Sequence, residues 1–267
     1  MPFLHLVILA LIQGVTEFLP ISSSGHLALY PLLTGAQDQG LKLDVATHIG
    51  SLAAVMLYFR ADVAMAARGA LRVLRWDLMN REAHLALLLL VATVPAVLAG
   101  GVIAALGWAE ALRSLAVIGW ATLIGGLLLF LADRYGRMEK REAGWTLKDA
   151  ALIGLAQAAA LVPGVSRSGI TITAARALGY ARVDAARVSF LMSIPVTLAA
   201  ALLVLVEVAE SGNTALQADV AVAAVLSFVA AYAAIALFLK MLRTWSMNVF
   251  VVYRLILGAG LLYLAYA

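Results

Sequence analysis

The chain alternates between long apolar stretches and short polar ones. Six stretches of about 17–23 mostly apolar residues, each bounded by charges or turn residues, have the length a helix needs to cross a bilayer. They are Leu43–Phe59, His84–Leu106, Leu115–Ala132, Asp184–Val206, Asp219–Lys240 and Asn248–Ala267. Aromatic residues lie near several of the ends (Tyr58, Phe59, Trp108, Trp145, Trp245, Tyr266), where interfacial anchoring accounts for them. Two further apolar segments break the pattern. Pro2–Leu33 holds a Gln, a Glu, three consecutive serines and two His; Leu147–Leu178 holds Gln157, Ser166, Arg167, Ser168 and two threonines. Pro20 and Pro163 interrupt these segments near their middles. Irregular backbone at membrane depth is tolerated only against protein or water. Each segment is therefore expected to be a re-entrant helical hairpin rather than a kinked span. The pattern predicts an all-α polytopic membrane protein, one integral domain over residues 1–267, with six transmembrane helices and two re-entrant hairpins.

Composition narrows the class. Hydrophobic residues make up 64% of the 267 and charged residues 13%, with a mean hydropathy of +0.99. Soluble domains run about 45–50% apolar and about 25% charged, so a soluble enzyme, a disordered chain and a coiled coil are excluded. The absence of cysteine removes disulfides, zinc–thiolate sites and dithiol redox chemistry. Net charge is +4, from 19 Lys and Arg against 15 Asp and Glu. Most of the positive charge sits in two short loops, which reads as membrane topology and not as a nucleic-acid surface. The first apolar run carries Gln13 and Glu17 and has no small-residue cleavage site, so it reads as part of the fold and not as a signal peptide.

The loops set an orientation. Arg60–Glu82 carries Arg60, Arg68, Arg72, Arg75 and Arg81; Asp133–Lys148 carries Arg134, Arg137, Lys140, Arg141 and Lys148. Two spans separate them, so they share a side, which the positive-inside rule makes cytoplasmic. Glu207–Asp219 has no Lys or Arg and suits the outside. This closes only if Leu147–Leu178 enters and leaves on the cytoplasmic side, while the first hairpin opens outside with both termini. The hairpins also resemble each other. Pro20 pairs with Pro163 at an offset of 143 and Gly25 with Gly169 at 144, which implies one extra residue in the second turn. Each hairpin is followed by three spans, so residues 1–132 and 147–267 are expected to be inverted repeats, with a site where the two breaks meet near the midplane.

The residues at those breaks carry chemistry. Gln13 and Glu17 are four apart and share a helix face. A carboxylate in an apolar helix is costly and marks function; it can bind a divalent cation or take a proton from a nucleophile. Ser22, Ser23 and Ser24 sit just before a helix expected to start near Gly25, whose free N–H groups can cradle an anion. His26 follows, able to act as nucleophile, base or acid. In the second motif Arg167, between Ser166 and Ser168 and near Thr171, has the planar donors and helix start of a phosphate site. Asp44 and His48, also four apart, are placed to line the outer mouth of such a site.

Together the motifs resemble those of the undecaprenyl-diphosphate phosphatase family of bacterial inner membranes, once named for bacitracin resistance. Gln13 and Glu17 followed by Phe-Leu-Pro, a serine-rich turn and Gly-His match its first motif, and Pro-Gly-x-Ser-Arg-Ser-x-x-Thr its second. Many members have Glu where this chain has Gln13, which can bind phosphate or a cation through its carbonyl but cannot be a general base. The resemblance implies hydrolysis of undecaprenyl diphosphate to undecaprenyl phosphate and inorganic phosphate, recycling the lipid carrier of envelope polymers, at a site reached from the periplasm. It implies catalytic roles for Glu17, Ser23, His26 and Arg167, with Ser23, His26 or metal-bound water as nucleophile. It implies substrate contacts from Gln13, Ser22, Ser24, Ser166, Ser168 and Thr171, and a divalent cation, Mg²⁺ or Ca²⁺, on Glu17 and Gln13. Gly100-Gly101 and Gly125-Gly126 are places where helices of a homodimer can approach closely. The alternative class is a transporter or flippase for an anionic or polyprenyl-phosphate substrate, since inverted repeats with broken helices are also transporter architecture.

Overall fold

A computed structural model describes residues 3–35, 41–210 and 214–267. They form eleven α-helices with three single 3₁₀ turns and no β-strand among the described residues. The helices are α1 (Phe3–Thr16), α2 (Ser23–Thr34), α3 (Leu41–Tyr58), α4 (Arg60–Leu74), α5 (Arg81–Ala105), α6 (Leu115–Tyr135), α7 (Leu147–Ala158), α8 (Arg167–Ala177), α9 (Arg182–Glu210), α10 (Thr214–Met241) and α11 (Asn248–Tyr266). Side-chain caps start five of them, three being Asn80, which accepts from the Ala83 N–H, Ser114 from Val117 and Thr146 from Asp149, each satisfying a donor the first turn leaves unpaired.

Among the described residues, α5, α6, α9, α10 and α11 contain stretches long and apolar enough to cross a bilayer. The predicted span Leu43–Phe59 corresponds to α3, which counts as a sixth only together with α4, bent from it by 93°. By its charges Arg60–Glu82 is expected to be a loop. It is instead mostly helix, with a charged face that pairs locally: Arg68 and Arg72 both bind Glu82 at 2.7 Å.

Both broken segments return to where they started. The ring of His5, in the first turns of α1, meets Tyr30, late in α2, edge to face at 6.0 Å. Tyr180, just after α8, donates its hydroxyl to Asp149, in the first turn of α7, at 2.8 Å. Burial, and then that bond, raises the Tyr180 phenol above its usual range, so it stays a donor. A kinked span would hold the two ends of such a segment tens of ångströms apart, at about 1.5 Å per residue; the pairs in contact mark helical hairpins. The two basic segments lie on one face, because Arg187 of α9 bridges Asp62 of α4 (2.8 Å) and Glu142 (3.5 Å).

The hairpins align at a single offset of 144. Phe3 and Leu147 start their first helices, Gln13 and Gln157 are buried in them, and Ser22 and Ser166 cap the second helices. The extra residue expected in the second turn is absent: Pro163 takes the place of Leu19, so the two prolines fall one position apart in turns of equal length. Each first helix lies tight against a long one. A Cβ on Gly14 would sit 2.6 Å from the Ser227 carbonyl oxygen of α10, and one on Gly154 2.6 Å from that of Ala92 in α5.

Candidate functional site

The two turns meet. Ser22 and Ser166, each the N-cap of the helix that follows, have φ of 71° and 67°, in the left-handed region that costs a non-glycine residue on the order of 1–3 kcal/mol when it is strained. Their side chains recover part of that by accepting the N–H of Gly25 (3.3 Å) and Gly169 (3.1 Å). Two residues after each cap, a further serine crosses to the other turn: Ser24 Oγ accepts the Gly164 N–H at 3.0 Å, and Ser168 Oγ donates to the Leu19 carbonyl at 2.9 Å. Ser22 and Ser24 are themselves 3.1 Å apart, Ser166 and Ser168 3.2 Å.

Glu17 sits at the centre of this junction. One carboxylate oxygen, Oε1, takes Nη2 of Arg167 at 2.5 Å; the other, Oε2, takes Gln13 Nε2 at 2.7 Å and Ser23 Oγ at 3.0 Å, with His48 Nε2 3.6 Å away. The side chains of Glu17 and Arg167 are 9% and 15% exposed, so the charges neutralise each other out of bulk water. Removing either partner would leave an uncompensated buried charge, a change that costs about 3–5 kcal/mol. The hydroxyl of Ser23 on a carboxylate is the arrangement of a nucleophile and its base. A cavity of about 330 Å³ opens on this group, lined by Glu17, Ser23, Ser24, His48, Ser166 and Arg167 and walled on one side by Val196 and Ala200 of α9.

The other expected residues lie around it. Gln13 is fully buried. A carboxylate only accepts, so the amide nitrogen must face Glu17, and the Gln13 carbonyl oxygen is left buried with no donor. Thr171 faces the protein: its hydroxyl donates to the Arg167 carbonyl (2.8 Å) and meets Ser189 Oγ at 2.7 Å, tying α8 to α9. His26 turns away from the carboxylate. Its Nδ1 bonds the Ser22 carbonyl at 2.7 Å, its Nε2 the Tyr253 hydroxyl at 2.5 Å, and its ring stacks on that of Tyr253. His48 is the histidine on the cavity. The side chain of Asp44 lies outside the described residues.

Sequence reasoning missed Arg254. It lies fully buried in α11 and donates to carbonyls of Pro20 (3.4 Å), Gly164 (3.1 Å) and Val165 (2.9 Å) in the two turns and of Thr122 (3.1 Å) and Ala121 (3.4 Å) in α6. The signal was a lone arginine inside an apolar span, a functional marker by default. Arg254 also corrects the expected use of Gly125-Gly126. A Cβ on Gly125 would stand 2.1 Å from its Nη2, so that pair makes room for a guanidinium within the chain and offers no face to a second copy.

The hydrogen bonds between the turns can be cut one at a time. Ser24→Ala would strand the Gly164 N–H and Ser168→Ala the Leu19 carbonyl. Each is expected to lower stability by about 1–3 kcal/mol, the cost of a buried polar group left unpaired, read as a drop in thermal midpoint in detergent.

The sequence model of a family described as Bacitracin resistance protein BacA matches residues 6–260. Curated relatives named undecaprenyl-diphosphatase cover the full length of both chains: those of Dinoroseobacter shibae and Roseobacter denitrificans are each 52% identical to this chain over 267 residues, and that of Ruegeria pomeroyi is 51% identical over 267.

Proposed function

This chain belongs to the bacitracin resistance protein family, and from that membership we propose that it hydrolyses undecaprenyl diphosphate to undecaprenyl phosphate and inorganic phosphate at the junction of its two hairpin turns. The observation that carries the reading is the contact of Ser23, Glu17 and Arg167 on one cavity. The cavity, about 330 Å³, takes a diphosphate but not a long prenyl chain, so the tail lies outside it along the apolar helices. Arg167 exchanges Glu17 for phosphate oxygens, which its planar donors bind in pairs. The free N–H groups at the starts of α2 and α8 face the same anion.

Ser23 is the group best placed to attack. Its oxygen bonds to the terminal phosphorus while its proton passes to Glu17. The bridging P–O bond breaks and its electron pair leaves with the lipid phosphate. Water then attacks the phosphoserine: its oxygen bonds to phosphorus, the P–O bond to Ser23 breaks, Ser23 recovers its proton from Glu17, and the proton the water gives up leaves to solvent with the inorganic phosphate. His26 has both ring nitrogens engaged elsewhere, which disfavours it as the nucleophile. Phosphoryl transfer of this kind needs in-line placement and charge neutralisation above all. The Ser23–Glu17 pair also favours hydrolysis over the transporter alternative, because an anion carrier has no use for an activated hydroxyl.

The residues present fit a divalent cation that arrives with its substrate. No group of three His, Cys, Asp or Glu that could hold a metal occurs among the described residues, so a resident all-protein cage is not supported. Glu17 would hold the cation from the cavity wall, and the Gln13 carbonyl oxygen, buried without a donor, would join as a second hard ligand if its amide turned over from the orientation that now faces Glu17. That suits Mg²⁺ or Ca²⁺ completing its shell with phosphate oxygens and water. When bound, the cation would neutralise the charge that builds on the departing phosphate.

The chain is a multi-pass membrane protein. We place it in the bacterial inner membrane as two inverted copies, residues 1–132 and 147–267. The face that gathers Asp62, Glu142 and Arg187 with the basic segments is cytoplasmic by the positive-inside rule, and the first hairpin opens to the periplasm, where substrate enters. Gly100-Gly101, with open space around Gly101, remains the glycine pair available to a second copy.

Two outcomes are expected of purified protein given undecaprenyl diphosphate in detergent. Ser23→Ala should lower phosphate release by at least about 10³-fold, the scale of losing a nucleophile; near-normal release would pass that role to His26 or water. EDTA should stop release by the wild type and added Mg²⁺ or Ca²⁺ should restore it, whereas release indifferent to EDTA would remove the cation from the account.

A further inference from the structure

Arg254 has no part in the chemistry above, yet it is the most completely buried cation near it. No carboxylate pairs with it among the described residues; its acceptors are five backbone carbonyls. A guanidinium held only by peptide oxygens keeps its charge in the protein at high desolvation cost. Three of those oxygens belong to the turns that form the cavity, one to the first and two to the second.

The peptide geometry gives this a consequence. In a planar trans peptide the C=O of one residue and the N–H of the next point in opposite directions. The Val165 carbonyl points at Arg254, at 2.9 Å, so the N–H of Ser166 points away from it. Ser166 borders the cavity. The Gly164 carbonyl is held at 3.1 Å by the same guanidinium nitrogen, which fixes two successive peptides of the second turn. The α8 N-terminus follows directly, with Ser166 held at positive φ and its side chain already committed to the Gly169 N–H.

We propose that Arg254 is a positioning residue for the phosphate-binding turn: it draws the carbonyls of Gly164 and Val165 to one side, so that the Ser166 N–H and the first N–H groups of α8 stay aimed at the anion. Its hold on the Pro20 carbonyl keeps the first turn, with Ser23 and Glu17, in register with that donor set. Three glycines are part of the device. A Cβ would stand 2.1 Å from Arg254 Nη2 at Gly125, 3.1 Å from its Cβ at Gly126 and 2.5 Å from Nη1 at Gly169, so an alanine at any of the three crowds the arginine. The proposal rests on the phosphatase reading above.

The test compares Arg254→Lys, which keeps a charge but loses the fork, with Gly125→Ala, which keeps the arginine but displaces it. Wild type, both variants and Arg167→Ala are purified in detergent and checked by gel filtration. kcat and KM for undecaprenyl diphosphate, and inhibition by orthovanadate, a mimic of the phosphoryl group in flight, are then measured. For a misaimed anion donor, kcat is expected to fall about 10–100-fold, with vanadate inhibition weakened by a similar factor and KM within about threefold. A residue that serves only as structural glue would lower thermal stability and leave kcat and vanadate inhibition within about twofold; that result in either folded variant overturns the proposal. If Arg254→Lys does not fold, Gly125→Ala decides alone. A wild type that releases no phosphate would overturn the phosphatase reading itself, an outcome distinct from normal variants beside an inactive Arg167→Ala.

Discussion

Two broken helices meet inside this protein, and everything else in the structure follows from the need to satisfy their backbone away from bulk water. A helix break exposes N–H and C=O groups that lipid cannot pair. Here each turn supplies the partners of the other. Ser24 takes the Gly164 N–H, Ser168 reaches the Leu19 carbonyl, and Arg254 gathers one carbonyl from the first turn and two from the second. Neither turn would be tolerable alone. The long helices hold the two hairpins at the separation that lets them pair, α10 against Gly14 and α5 against Gly154 at distances only glycine permits.

The same constraint builds the chemistry. A turn that must cap a helix leaves the first N–H groups of that helix without partners, and two such turns facing one cavity converge their donors on a single volume. An acid placed there is tolerable only against a cation, which Arg167 provides across the junction. The resting site is thus balanced in charge, and under the proposed function an anion that competes for Arg167 would free Glu17 to act on Ser23. In that proposal binding and activation are linked through the one ion pair that also balances the buried acid.

Much of this was legible in the sequence because polar residues in apolar segments have few explanations. Pro20 and Pro163 with serines beside them marked the breaks, and charge asymmetry between loops required hairpins in place of spans. Glu17 and Arg167 stood out because a charge is costly where each lies, whereas Ser23 was singled out of its serine run only by the family resemblance. What the sequence hid depends on side-chain direction. The sequence put His26 among the catalytic residues and His48 at the outer mouth, but the packing of α2 against Tyr253 turns the first away from the carboxylate while α3 presents the second to the cavity. Arg254 went unnoticed inside a span whose hydropathy one arginine hardly alters. The segment with Arg68 and Arg72 read as a loop because its charges hid the helical face of α4, and the prolines misled the alignment by one residue because a turn can place its proline in either of two adjacent positions.

The central claim is that residues 150 positions apart in the chain form one catalytic unit. A double-mutant cycle measures that directly: kcat/KM for undecaprenyl diphosphate in wild type, Glu17→Ala, Arg167→Ala and the double variant, all purified and folded. The account predicts strong non-additivity, with the double variant no worse than the more damaged single one, as for groups that act as a unit. Effects that simply multiply would mean that Glu17 and Arg167 work independently, and would contradict a single site at the meeting of the two turns.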